Sequence, residues 1–420
     1  MYTQLRKCSE PLTRKKLYIK FYSDKFAKCK IETNEVQPKP FSDIPGPKSL
    51  PVIGTLYKYL PLIETDYVVQ EFLELCSKEK FEDFLPVLSR LFLECNITIF
   101  LTVLVSIFSK EERCENSTSS KLIDAAFTTN SAILKLDNGL QLWRFFETPL
   151  YRKLRKAQMY MEAVALELVS SKRKDMEVQY SKSFLNSYLE NSALDIKDVV
   201  GMACDMLLAG IDTTTYSTAF TLYHLAKNQD IQEKLRSEAM QLLDHHNQQI
   251  TVEVLRNASY TKAVIKESLR LNPISIGVGR ILQTDVILNG YQVPKGTVVV
   301  TQNQIICRLS EYFNEPDSFI PERWLRDNSD NSNKINSGKS IHPYVLLPFG
   351  HGPRSCIARR FAEQNMQVLL LRICQRFKFS WHGNELGMVS LLINKPDAPL
   401  KFNFHEILKA RPNFQNCNDI

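Results

Sequence analysis

Two hydrophobic periods divide this chain. From about residue 68 to 184, apolar side chains return every three or four positions, which predicts helices with breaks near 115–120 and 137–139. Residues 195–227 predict a very long helix with few polar groups in its middle, and a helix apolar on most faces runs through a core. Residues 229–243 and 251–271 predict two amphipathic helices, the second ended by Pro273. Then the texture changes. Short strand-like runs at 286–288, 291–293 and 297–301 are separated by Asn289-Gly290 and by Pro294-Lys295-Gly296, and the Asn-Gly pair predicts a hairpin. A polar loop is expected at 327–340, a strong helix at 357–377 and a final strand pair within 386–404. The apolar run 97–108 is too short to span a bilayer and is broken by Thr98, Thr102 and Ser106, so it predicts a buried core helix. The pattern is that of a mainly α fold with a small β region, one large domain and no internal repeat.

The ends differ from this body. The first thirty residues hold nine basic side chains against two acids, Glu10 and Asp24, with no apolar run. Such a leader suits a mitochondrial presequence over residues 1–39, with a solvated basic tail as the other reading and no membrane anchor expected. Residues 40–51 carry four prolines and mark the start of the folded domain, expected over 40–406 with a tail at 407–420.

Composition excludes several classes. Of the 420 residues, 44% are apolar and 24% charged, ordinary for a globular protein. The net charge of +7 is too diffuse to argue for nucleic acid. The cysteines include no C-x-x-C pair, so zinc-ribbon and thioredoxin spacings are absent and mostly buried free thiols are expected. A metal thiolate here would use a single cysteine, which favours haem.

Residues 348–358 supply that cysteine: Pro-Phe-Gly-His-Gly-Pro-Arg-Ser-Cys-Ile-Ala. Two glycines and a proline before Cys356 predict a tight turn whose backbone can approach a flat ligand. The start of the following helix is expected to favour a thiolate. Arg354 is placed to meet an anionic group, and Phe349 to keep water from the sulfur. A thiolate on haem iron favours O–O cleavage.

Phe349-Gly350-x-Gly352-x-Arg354-x-Cys356 resembles the haem-binding signature of the cytochrome P450 monooxygenases, with Ala358 where the family usually has glycine. The resemblance implies the cytochrome P450 fold and haem b (iron-protoporphyrin IX) ligated by Cys356. Glu267-x-x-Arg270 and Phe319-x-Pro321-Glu322-Arg323-Trp324 resemble further family motifs, implying that Glu267, Arg270 and Arg323 form a buried triad bracing the cysteine loop. Residues 209–214, Ala-Gly-Ile-Asp-Thr-Thr, are expected to interrupt the long helix. They resemble the oxygen-activation motif, in which Asp212 would deliver protons and Thr213 hold dioxygen and water. Arg280 corresponds to an arginine that pairs with a haem propionate.

Lys262 and Lys266 share a helix face, and Arg359 and Arg360 follow the cysteine. These residues resemble the mitochondrial class, in which such lysines dock an acidic ferredoxin served by an NADPH-dependent reductase. The inner-membrane surface is a further contact open to that class. Residues 44–59 and the cysteine loop resemble the insect ecdysteroid branch of the family, implying a steroid substrate and O₂. One part of the family pattern is missing. Near 59–66 the chain passes from its proline-rich start almost directly to later helices, without the first strands and a W-x-x-x-R propionate motif. An internal deletion is expected, leaving one wall of the pocket open. Two other readings therefore stand beside the monooxygenase: an inactive truncated variant, and a haem-thiolate isomerase that needs no electrons.

Overall fold

The computed structural model describes residues 62–101, 112, 114, 116–137, 140–178, 184–243, 248–325 and 342–407. The expected presequence, the proline-rich stretch, the 327–340 loop and all but the first residue of the tail lie outside the described residues.

Helices dominate, as the pattern predicted. They are α1 (Leu62–Lys78), α2 (Leu85–Leu101), α3 (Thr118–Asp137), α4 (Pro149–Val178), α5 (Phe184–Leu189), α6 (Ile196–Lys227), α7 (Gln229–Leu242), α8 (Val252–Asn257), α9 (Ser259–Leu271), the single turn α10 (Asn303–Ile306) and α11 (Arg359–Arg376). The strands form antiparallel pairs. β1 (Gly277–Ile281) lies against β4 (Val298–Gln302), β2 (Val286–Leu288) against β3 (Tyr291–Val293), β5 (Phe377–Trp381) against β8 (Phe402–Glu406), and β6 (Met388–Ser390) against β7 (Asn394–Pro396).

Local chemistry explains most boundaries. Asp195 caps α6 by accepting the Asp198 N–H at 2.8 Å, while the Asp198 carboxylate accepts the Asp195 N–H, a reciprocal capping box. Asn289 and Gly290 both take positive φ, 49° and 82°, which is what a two-residue turn between β2 and β3 requires.

Several expectations are corrected. The 209–214 segment does not interrupt α6, which is continuous from 196 to 227. The Thr213 and Thr215 hydroxyls donate to the carbonyls of Ala209 and Ile211 inside an unbroken ladder. The single helix expected over 251–271 is two, parted at Ala258. There the Glu238 carboxylate accepts the N–H groups of Tyr260 and Thr261 at 2.6 and 2.8 Å and caps the second helix from outside the segment. The final region holds two strand pairs rather than one, because residues 377–381 leave the helical pattern and pair with 402–406. β1 escaped notice because Gly277, Gly279 and Arg280 give it no strand-like alternation.

Packing centres on α6, α9 and α11. Leu369, Leu370 and Leu371 of α11 are all fully buried, so this helix is enclosed on every side. Gln232 on α7 reaches β5, where its amide donates to the Phe379 carbonyl and accepts the Phe379 N–H. Asp66 on α1 forms a buried two-point ion pair with Arg372 on α11, Nε to Oδ1 at 2.6 Å. No helix among the described residues is long and apolar enough to cross a membrane.

Candidate functional site

The cysteine loop is closed by its own backbone. The Cys356 N–H donates to the Phe349 carbonyl at 2.8 Å, Ser355 to Gly352 at 2.9 Å and Gly350 to Leu347 at 3.0 Å. Gly350 and Gly352 sit at φ 72° and 74°, a region that side chains with a Cβ rarely enter, so both glycines are required by the turn. Phe349 packs its ring against the main core and carries the Arg359 guanidinium 5.3 Å from its centroid. Cys356 itself is exposed, as is Ile357 after it.

The expectation of a ready thiolate is corrected. Although the residue is exposed, partial withdrawal of its sulfur from water holds the Cys356 thiol above its ordinary value, and the Ala358 backbone and the Arg359 charge pull it down only in part. α11 begins at Arg359, three residues beyond the sulfur, and the effect of a helix end fades over about one turn. A metal cation at the sulfur reverses that balance, because a coordinating thiol is deprotonated outright. The donor therefore fits a metal ligand better than a free nucleophile.

Behind the loop lies the charge cluster. Glu267 and Arg270 are wholly buried and joined by two bonds of 2.9 Å, and the Arg323 Nε donates to Glu267 Oε1 at 3.0 Å. Glu267 also accepts the Ile320 N–H at 2.9 Å and the Trp324 indole N–H at 2.8 Å. The three charges expected to meet do meet. Hydrogen bonds run from this cluster toward the loop. Arg270 donates to the Cys307 carbonyl, the Cys307 thiol to the Val345 carbonyl, and the Asn303 amide to the Leu347 carbonyl, the acceptor that also holds Gly350.

On α6, Asp212 is 3% exposed and accepts the Asn130 amide of α3 at 2.8 Å. Burial raises its carboxyl from 3.8 to about 6, against the Asn130 bond and the more distant Lys395 charge. It lines a small recess with Phe127, Tyr216, Leu391 and Lys395. Thr213 points elsewhere and is half-buried. With Asp205 and Ala209 it forms a more open stripe, at four-residue spacing, on a helix otherwise mostly enclosed. The structure thus places the acid and the alcohol on different faces, with no hydrogen bond between them.

Arg280 and Arg354 are both exposed. Arg280 leans from β1 to the cysteine loop and donates to the His351 carbonyl at 3.3 Å. Arg354 makes no side-chain hydrogen bond or ion pair among the described residues. Lys262 and Lys266 are exposed on α9. Lys262 donates to the Arg256 carbonyl, while Lys266 lies 4.0 Å over the Trp324 ring. Arg359 pairs with Glu363 at 2.9 Å, and Arg360 is exposed beside it. Two contributors had no signal of their own in the sequence. Asn130 lies 82 residues from its partner Asp212, and the 319–324 motif gives Trp324 no role, although its indole bonds Glu267.

The residues on the sulfur side fit a haem. They offer one accessible thiol on a backbone-locked loop, with the guanidinium of Arg354 unengaged and that of Arg280 against the loop. The comparisons agree with that donor set. The cytochrome P450 family model matches residues 54–403. "Cytochrome P450 302a1, mitochondrial" from Drosophila melanogaster is 49% identical over 343 residues, covering 80% of this chain and 68% of the relative. "Probable cytochrome P450 49a1" from the same fly is 33% identical, covering 83% and 61%. "Cytochrome P450 CYP12A2" from Musca domestica is 32% identical, covering 70% and 57%. The chain thus spans between 57 and 68% of the length of these relatives. The family-wide match and the conjunction of cysteine loop, charge cluster and α6 acid lead to one assignment: this chain belongs to the cytochrome P450 family of haem-thiolate monooxygenases.

Proposed function

We propose that the chain hydroxylates a steroid of the ecdysteroid precursor class, using O₂ and electrons passed from NADPH through a reductase and a ferredoxin in the mitochondrion. The observation that carries the reading is the cysteine loop, locked by the Cys356–Phe349 backbone bond with both glycines at positive φ. The mitochondrial setting is supported by the printed name of the 49% identical relative. The steroid class is supported by the sequence resemblance to the insect ecdysteroid hydroxylases. The ferredoxin is supported by the basic face of Lys262, Lys266, Arg359 and Arg360.

Bound at Cys356, haem supplies oxygen activation, with the thiolate donating electron density. The protein's own groups do the rest. Phe349 shields one side of the sulfur. Arg280 and Arg354 offer charge-assisted bonds to propionates. Asp212, raised to about 6, exchanges a proton near neutral pH, and Thr213 presents a hydroxyl on the open stripe of α6. Glu267, Arg270 and Arg323 hold the segment under the loop through Cys307 and Asn303.

A second reading follows from the exposure of Cys356 and the family segment missing near residues 59–66: a chain that folds yet holds haem weakly and is inactive. Retention of Asp212, Thr213 and the basic face argues against an isomerase that needs no electrons. The carbon monoxide difference spectrum of the reduced, haem-supplemented chain decides between activity and inactivity. The expected red-shifted thiolate band disappears in Cys356→Ser, and steroid turnover requires ferredoxin. A chain that takes up no haem establishes the inactive reading, and turnover without ferredoxin establishes the isomerase.

A further inference from the structure

Trp324 stands between two features already described, the buried charge cluster and the basic face. Its indole N–H donates to Glu267 Oε2 at 2.8 Å, and its ring meets Phe313 edge-on at 6.0 Å. Glu267 is wholly buried and held by both Arg270 and Arg323. The orientation of the indole is therefore fixed by a wholly buried, multiply bonded polar cluster. On the outer side, the Lys266 ammonium lies 4.0 Å from the ring centroid.

Lys266 differs from its neighbours in what surrounds its charge. Lys262 donates to the Arg256 carbonyl and lies in the field of Glu238 and Glu363. Arg359 is paired with Glu363. Lys234, further along, is paired with Glu322 at 2.7 Å. Among the described residues no carboxylate pairs with Lys266, whose charge is disfavoured by burial and then by Arg359. Its ammonium rests on the aromatic face beneath it.

We propose that Trp324 is a positioning residue for partner binding: its ring presents the Lys266 ammonium to a carboxylate of an acidic protein. This rests on the ferredoxin reading above and deepens it. A free lysine side chain loses rotamer freedom when it docks, and a lysine already laid on a ring has lost much of it beforehand. The ring's attraction for the ammonium favours that laid-down conformation about two- to five-fold over the free ones at an exposed site, so little freedom is left to lose on docking. The same indole joins the docking face to the cluster beneath the cysteine loop, so the lysine is registered against the loop rather than against a mobile surface.

Calorimetric titration of the full chain with a recombinant acidic [2Fe–2S] ferredoxin at low salt tests this. Trp324→Phe and Trp324→Leu both lose the indole bond to Glu267, and both are expected to melt somewhat earlier. Only Phe keeps a π face. Trp324→Phe is expected to bind within two-fold of the wild type, and Trp324→Leu about two- to five-fold more weakly. In a Lys266→Met background, Trp324→Leu is expected to add nothing. Equal affinities for the Phe and Leu variants, or an undiminished effect of Trp324→Leu without Lys266, overturn the proposal. The docking reading fails separately, if Lys262→Met with Lys266→Met binds like the wild type or if the unmutated chain does not bind. A second measurement needs no variant that unfolds. In ¹³C-dimethylated protein, the lysine signal shifted upfield by the indole ring current must move when ferredoxin is added, and one that stays in place overturns the proposal.

Discussion

Two buried titratable side chains on α6 respond to acid in opposite ways. Asp212 is raised from 3.8 to about 6, so the native state binds its proton more tightly than the unfolded chain. Its contribution is fully present below about 4 and is lost as pH rises through 6. His224 is lowered from 6.5 to about 4 by burial, partly offset by its bond to Asn272. Its contribution is present above 6.5 and is lost as pH falls through 4. At 1.36 kcal/mol per pKa unit each is worth about 3 kcal/mol, so the two largely cancel in the wild type. Asp212→Asn is expected to lose stability relative to the wild type on acidification from pH 7 to 4, and His224→Gln to gain it. Urea unfolding at both pH values measures the crossing. At the cysteine loop, alkylation followed by peptide mass spectrometry is expected to label Cys356 and spare Cys76, Cys95 and Cys374, which are buried with raised thiols. Haem loading is expected to protect Cys356.

At the scale of elements, the cluster around Glu267 joins α9 to the segment leading into the cysteine loop. Glu267→Gln leaves two buried guanidinium groups without their carboxylate and is expected to cost about 3–5 kcal/mol. Denaturant unfolding measures that loss, and a weaker thiolate band in the carbon monoxide spectrum would register its effect on the loop. The motif spacing made Glu267 and Arg270 legible as a pair, because i, i+3 positions share a helix face whatever surrounds them. What the spacing could not carry was the division at Ala258. Helix 251–271 breaks because Glu238, on another helix, takes the N–H groups that would otherwise continue the ladder. The unbroken α6 shows the converse. Its glycine and threonines have poor helical propensity, yet Gly210 sits where a Cβ would strike the Asn96 side chain at 2.6 Å. Tertiary packing selected the small residue, and the enclosed helix bore its cost.

Across the whole molecule, the beginning and end of the folded region are tied together. Asp66 and Arg372 are 306 residues apart and pair while almost fully buried. Arg376, one turn later, bonds both Glu74 of α1 and Glu406 of β8. α1 is therefore fastened to α11 although the chain reaches it directly from the proline-rich stretch. Asp66→Ala leaves the buried Arg372 guanidinium without its carboxylate, and a loss of about 3–5 kcal/mol is expected in urea unfolding. No stretch of sequence announces this pair, since neither residue stands in a motif.

The sequence by itself determined the family, the helix-rich class and the members of the charge cluster, and it singled out Cys356 as the candidate ligand. Those features rest on short-range order: periodicity, i, i+3 spacing and the glycines of a tight turn. Only the tertiary structure decided that Asp212 answers to Asn130, that Trp324 carries Lys266, and that desolvation opposes ionisation of the Cys356 thiol. Each of these depends on how far a group is withdrawn from water and which distant chain segment faces it. Desolvation and long-range contact are properties of the packed molecule and leave no local trace in the order of its residues.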